Sequence, residues 1–221
     1  MRGRFVTFEG GEGSGKSTHA KLLAERLSAA GIAVVRTREP GGSPGAEIIR
    51  HILLSGIAKP LGAETEAMLF AAARDDHVRS IIRPALLEGK WVICDRFIDS
   101  TRVYQGALGK VDDKLIRGLE RVTVGPAMPD LTFVLDVPAS VGLARATRRR
   151  AGGAADRYES EAVEFHESLR MAYRALAEAE PHRIVLIDGR PPREVVAARI
   201  WDIVEQRLIR SLTPAVEHAA P

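Results

Sequence analysis

Gly10-Gly-Glu-Gly-Ser-Gly15-Lys16-Ser17 follows the apolar run Phe5-Val-Thr-Phe8, with Glu9 between them. The octet fits the spacing G-x-x-x-x-G-K-[ST], and the residues just after it carry a helical apolar pattern. A strand, a glycine-rich turn and a helix start in that order make a cradle for phosphate. Glycines let successive backbone N–H groups turn inward, and the helix N-terminus adds partial positive charge. Lys16 supplies a full charge to a transferring phosphoryl group, and the Ser17 hydroxyl can join the shell of a Mg²⁺ ion bridging phosphates. Gly10, Gly11, Glu12, Gly13, Ser14, Gly15, Lys16, Ser17 and Thr18 are therefore the expected contacts of a nucleoside triphosphate. The loop is silent on what receives the phosphate. A small-molecule kinase, a GTPase-like switch and an ATPase motor or repair protein all remain open.

Working outward, Ala20, Leu23, Ala24 and Leu27 recur at i, i+3, i+4 and i+7, and Gly31 follows as a helix cap. Further apolar runs are Ile32-Ala-Val-Val35, Trp91-Val-Ile-Cys94, Leu131-Thr-Phe-Val-Leu135 and Ile184-Val-Leu-Ile187. They are unbroken rather than alternating, so they read as buried strands. Strand and helix alternate along the chain, which predicts an α/β fold: a parallel sheet with helices on both faces and a ligand site at the carboxyl ends of the strands. No repeat or Gly/Ser/Pro-rich linker divides the sequence. One domain is expected over residues 1–212, with 213–221 a frayed tail. The stretch Arg148-Arg-Arg-Ala-Gly-Gly-Ala-Ala155 combines charge repulsion with small residues and is expected to be a mobile loop.

Composition narrows the function classes. The chain has 221 residues, 45% of them hydrophobic, which is ample for a core. Its 32 Lys and Arg against 29 Asp and Glu leave +3, without the dense basic stripe of a dedicated nucleic-acid binder, so no nucleic-acid partner is expected. Cys94 stands alone and the six His show no paired ligand spacing, which argues against a disulfide scaffold and a zinc module. Glu9 and two glycines end the first apolar stretch too soon for an export signal, and no window nears the ~18 apolar residues of a membrane span. The expectation is a soluble cytoplasmic protein with no membrane partner.

A second constellation follows Trp91-Val-Ile-Cys94: the strand ends in Asp95-Arg96, a carboxylate and a guanidinium near the phosphate loop. Asp95 can act through a metal or on Lys16, and Arg96 offers a bidentate fork for phosphate. The competing reading is an ordinary surface salt bridge. Phe70 and Arg74 lie four apart on a helical pattern and so share one face.

These stretches, with Arg38-Glu-Pro-Gly-Gly42, Phe70-Ala-Ala-Ala-Arg74, Asp95-Arg-Phe-Ile-Asp-Ser-Thr101 and Tyr104-Gln105, resemble the bacterial thymidylate kinase family over nearly the whole chain. The resemblance implies a five-stranded parallel sheet of the P-loop, nucleoside monophosphate kinase-like type under a mobile basic lid, spanning about residues 146–158. It also implies ATP as donor, dTMP as acceptor, dTDP as product for dTTP synthesis, Mg²⁺ as cofactor and a homodimer. On that resemblance Phe70 stacks on thymine and Arg74 hydrogen-bonds it; an arginine only donates, so it suits the O4 acceptor of thymine and misfits the amino group of cytosine. Glu12 is similar to a ligand of the acceptor's 3′-hydroxyl. Arg38 and Arg96 resemble a clamp on the acceptor phosphate, Thr101 and Gln105 further base contacts, Tyr104 the ring that crowds out a 2′-hydroxyl, and Ser100 another substrate contact. Ser17 and Asp95 are the implied metal ligands.

Lys16, Asp95, Arg96, Arg149 and Arg150 are the expected catalytic set. Arg145, Arg148 and Arg157 crowd the same lid, most of which reads equally as a solvated basic loop, with only one or two arginines acting. Cys94 reads as a core residue, Glu9 as ordering the loop, and the His residues receive no role. A nucleotide-regulated switch leaves the Phe70/Arg74 pair and the Arg38–Gly42 turn without a purpose.

Overall fold

A computed structural model describes residues 2–150, 158 and 160–210, without the side chain of Arg150. Arg157, the middle of the expected lid and the expected 213–221 tail lie outside the described residues.

The apolar runs form five parallel strands: β1 (Phe5–Glu9), β2 (Val34–Arg38), β3 (Trp91–Asp95), β4 (Leu131–Asp136) and β5 (Ile184–Asp188). Their order is β2-β3-β1-β4-β5. The chain therefore winds to one side of β1 and then to the other, and the crevice opens at the carboxyl end of β1, where the winding reverses. Register brings the chemistry to that edge: Phe8 lies opposite Asp95, and Glu9 opposite Val134. β1 and β4 are buried almost throughout, as their unbroken apolar runs predict. β2 differs. It begins at Val34 rather than Ile32, runs on through Arg38, and exposes Arg36 and Arg38, because it pairs only with β3 and forms an edge.

Nine α-helices are described: α1 (Lys16–Ala29), α2 (Pro44–Leu54), α3 (Gly62–His77), α4 (Arg83–Leu87), α5 (Ile98–Thr101), α6 (Asp113–Thr123), α7 (Ala139–Arg150), α8 (Val163–Ala179) and α9 (Arg193–Val204). A π turn, Val78–Ile82, joins α3 to α4, and another, Arg102–Leu108, extends α5. α1 buries Ala20, Leu23, Ala24 and Leu27 as the periodicity requires, against Val6, Phe8, Phe133 and Ile200 of β1, β4 and α9. Phe5, Val92 and Cys94 face the opposite side, toward Ile82, Leu86 and Phe97. Each large apolar side chain removed from water contributes about 1.5–3 kcal/mol, so the two apolar layers fix the sheet between its helices.

The face that carries Phe5 also carries a polar seam. Thr7 and Thr132 are fully buried mid-strand and hydrogen-bond each other at 2.7 Å. Asp99 of α5, wholly buried, accepts a two-pronged bond from Arg183 at 2.7 and 2.8 Å. This seam pins α5, and with it the turn that follows β3, to the sheet.

Candidate active site

The loop after β1 folds as its glycines dictate. Gly13 has φ +63°, and a Cβ there would run into the backbone carbonyl of Gly142 in α7, so neither its torsion nor its packing admits a side chain. α1 starts at Lys16, whose ammonium donates to the carbonyls of Gly10 at 3.0 Å and Gly11 at 2.7 Å. Burial, and then the Arg96 charge, lower its pKa to about 8 against the raising pull of Glu12 and Asp95. An anionic ligand would complete its neutralisation. Ser17 donates a short hydrogen bond to Asp95 at the end of β3.

Arg96 is strained. Its φ of +67° is a region that a side chain with Cβ enters at a cost of about 1–3 kcal/mol, a cost tolerated where the surroundings enforce it. They do so here. Its N–H bonds Phe8 O at 2.9 Å, and its guanidinium reaches Gly10 O at 3.2 Å and Ser100 Oγ at 3.3 Å and pairs with Glu12. Burial alone would raise the Glu12 pKa, but Arg96 and then Lys16 hold it down to about 2.

Glu9 supports this turn from beneath. Its buried carboxylate accepts from Phe97 N at 2.7 Å, Ser100 N at 3.2 Å, Ser100 Oγ at 2.7 Å and Tyr173 OH at 3.0 Å. Burial and the nearby Asp99 raise its pKa to about 7, with Arg96 opposing. The sequence reading has Glu9 ordering the phosphate loop; its four side-chain bonds instead hold the turn after β3 and Tyr173 of α8, around Arg96. The Cys94 thiol is in the core as expected, where burial raises its pKa well above the ordinary value, and it donates to Arg96 O at 3.0 Å.

One cavity gathers the rest. Its walls include Glu12, Lys16, Ser17, Thr18, Asp95 and Arg96 from the loop after β1, the start of α1 and the end of β3, and Arg38, Phe70, Arg74, Ser100, Thr101, Tyr104 and Gln105 from β2, α3 and the segment after β3. Arg149 lines it from α7. Phe70 is half-buried, while Arg74 is buried and donates to Glu39 Oε2 at 2.8 Å and Thr101 Oγ1 at 3.1 Å. The Tyr104 hydroxyl is buried with no hydrogen-bond partner, and its ring lies under the Arg96 guanidinium, 5.4 Å from centroid to carbon. Gln105 donates to Tyr158 OH at 3.2 Å. Arg38 is largely exposed and pairs with Glu47 at 2.8 Å, so its fork is partly committed.

Within the expected lid span, 146–150 are helical, continuing α7, which is a correction to the wholly loop-like reading of Arg148 to Arg150. Arg145 donates to Gly189 O at 3.1 Å. Sequence reasoning missed Glu39, His77, Tyr158 and Tyr173. Only Glu39 had a signal, as the acidic residue inside the Arg38–Gly42 turn. Among the described residues no group of three or more His, Cys, Asp or Glu is placed to hold a metal ion, and no helix is long and apolar enough to cross a membrane.

Comparison with known proteins agrees with this geometry. The sequence profile of the family described as "Thymidylate kinase" matches residues 8–200. A thymidylate kinase of Bradyrhizobium sp. (strain ORS 278) is 59% identical over 214 residues, 97% of this chain and 95% of the relative. One of Nitrobacter winogradskyi is 60% identical over 209 residues, 95% of this chain and 91% of the relative. The crystal structure of thymidylate kinase from Ehrlichia chaffeensis superposes with a TM-score of 0.73 at 35% identity, covering 92% of this chain and 99% of that one. With a phosphate loop and the Phe70/Arg74 pair facing one crevice of a five-stranded parallel sheet, the chain belongs to the thymidylate kinase family, whose activity is the phosphorylation of dTMP to dTDP.

Proposed function

We propose that the chain transfers the γ-phosphoryl group of ATP to the 5′-phosphate of dTMP, and that residues 1–212 act as one kinase unit, with 213–221 outside it. The observation that carries the reading is the single cavity in which Lys16 and Ser17 form one wall and Phe70 and Arg74 the other. An acceptor phosphate oxygen is already a nucleophile. It attacks the γ-phosphorus, the bond to the β–γ bridging oxygen breaks, and ADP leaves with no covalent enzyme intermediate. Catalysis then reduces to alignment and charge neutralisation.

Backbone N–H groups of Gly10 to Thr18 cradle the donor phosphates, with Lys16 as the full charge. Glu12 takes the 3′-hydroxyl, and Arg96 and Arg38 the acceptor phosphate. Phe70 stacks on thymine, Arg74 donates to O4, Thr101, Gln105 and Ser100 complete the pocket, and the Tyr104 ring crowds out a ribose 2′-hydroxyl. Arg149 or Arg150 meets charge developing between the phosphates. The contact of the Ser17 hydroxyl with the Asp95 carboxylate sets two hard oxygens side by side, a donor set that fits Mg²⁺, which takes one or two protein oxygens and leaves the rest to phosphate and water. When bound, Mg²⁺ neutralises charge on the transferring phosphates.

The enzyme acts in the cytoplasm as a homodimer. Support comes from exposed Ile48, Met68 and Val122 on α2, α3 and α6, helices packed side by side. Light scattering at micromolar concentration tests the dimer; a monomer mass contradicts it. For the reaction, ATP labelled at the γ position should deliver its label to dTDP in one-to-one ratio with ADP. Label appearing as free phosphate at a rate independent of dTMP would overturn the reading in favour of a switch or ATPase.

A further inference from the structure

The Arg74 guanidinium is 2% exposed and cannot choose its own orientation; neighbours set it. Its Nε–H and Nη2 are committed to Glu39 and Thr101, which leaves the Nη1 donors for the cavity. Glu39, itself 6% exposed, is fixed at both ends. Its backbone N–H extends the β2–β3 pairing to Asp95 O at 2.9 Å, and its Oε1 meets His77 Nδ1 at 3.0 Å. His77 is wholly buried at the last turn of α3, and its Nε2 lies 2.7 Å from Thr37 Oγ1.

Hydrogen-bond chemistry fixes the direction of this chain. A carboxylate only accepts, so Nδ1–H donates to Glu39; in the neutral ring Nε2 then accepts from the Thr37 hydroxyl. Arg74 and Glu39 cancel each other's charge, and the string ends on a strand residue. Gly42 confirms how closely it is covered. At φ +91° it lies against the Thr37 hydroxyl, and a Cβ would stand 2.5 Å from His77 Nε2, so the second glycine of the Arg38–Gly42 turn is the residue that lets the chain close over the relay.

We propose that Thr37, His77 and Glu39 form a buried relay that orients Arg74 toward the base, making them positioning residues for acceptor specificity. Thr37 and His77 lie behind the cavity wall, and Glu39 reaches it beside Arg74. The inference rests on the reading of Arg74 as the thymine contact. It predicts an effect on base discrimination with little effect on phosphoryl transfer.

The test uses the full chain and measures kcat and KM for dTMP and dCMP at saturating ATP. His77→Phe keeps the ring's bulk and removes both nitrogens. The dTMP-to-dCMP ratio of kcat/KM should fall roughly fivefold to a hundredfold, through KM for dTMP, with kcat and KM for ATP near wild type. His77→Asn, which retains a donor toward Glu39, should recover most of the ratio. Thr37→Val removes only the hydroxyl, should shift the ratio in the same direction by less, and serves if His77→Phe does not fold. Arg74→Lys runs in parallel. If it changes the ratio while His77→Phe and Thr37→Val do not, the relay is overturned and base reading by Arg74 stands. If Arg74→Lys leaves the ratio unchanged, the base-reading role falls and the relay with it.

Discussion

Asp99→Ala probes the polar seam that holds the Arg96 turn to the sheet. Asp99 is fully buried and receives both Nη groups of Arg183, with Arg102 Nη1 at 3.3 Å and Thr132 Oγ1 at 3.4 Å as weaker donors. Removing one partner of a buried pair strands the other charge at a cost of about 3–5 kcal/mol. Arg183 keeps a bond to Glu180 at 2.9 Å, which places the loss at the lower end, about 3 kcal/mol. For a chain of this length each kcal/mol moves Tm by about 2–4 °C, so a fall of about 6–12 °C is expected in a thermal melt followed by circular dichroism at pH 7. The joint replacement Asp99→Leu with Arg183→Met removes both charges and should regain most of the loss. An Asp99→Ala melt within about 1 °C of wild type, or a double variant less stable than the single, would refute the claim that a stranded charge sets the cost.

Lys16→Met should leave the circular dichroism spectrum unchanged and cut kcat by roughly a hundredfold or more, since a buried charge next to the transferring group is lost; near-normal kcat would sink the phosphate-loop role. With its pKa lowered to about 8, free-enzyme Lys16 loses its proton above that value, so kcat/KM for ATP should decline past pH 8 in wild type; a flat profile to pH 9.5 contradicts this. Glu9 is shifted upward from 4.5 to about 7, so the folded state holds its proton more tightly. That contribution is complete below 4.5 and lost as pH rises through 7, on the order of 3 kcal/mol in all. The stability of wild type relative to Glu9→Gln should therefore decrease across that window in urea titrations, and a constant difference counts against it. Arg149→Ala or Arg150→Ala should lower kcat with modest change in KM; if neither does, the acting arginine lies elsewhere, with Arg157 next.

The parts of the site legible in the sequence are those whose geometry is local. Gly10 to Ser17 declares itself because torsion, helix start and charge are all set within eight residues; four-residue spacing puts Phe70 and Arg74 on one helical face, and the family resemblance gives that pair a role. Glu39 and His77 are 38 apart, Asp99 and Arg183 84 apart, and Glu9 and Tyr173 164 apart. No spacing rule joins such pairs, and a histidine without a nearby partner in sequence carries no signal. The same limit explains β2. An apolar run reports that a strand forms, whereas its place at the sheet edge depends on where the later strands insert, and that exposed Arg36 and Arg38. The π turn over Arg102–Leu108, which carries Tyr104 and Gln105 into the cavity, likewise has no apolar period of its own.

The central claim is that one cavity joins ATP-dependent phosphoryl transfer to recognition of thymine. ADP release measured across dTMP, dUMP, dCMP, AMP and CMP tests it most directly. With Arg74 as the proposed thymine contact, dCMP would turn an amino donor toward the Arg74 donor and leave both unsatisfied, at roughly 1–3 kcal/mol each, so its kcat/KM should fall at least about thirtyfold below that of dTMP. dUMP lacks only a methyl group, worth about 1–3 kcal/mol at most, and should remain a poor but real substrate. The account predicts the order dTMP, then dUMP, then dCMP, with AMP and CMP near background. ADP release that is equal across the five acceptors, or as fast with none of them present, would contradict it.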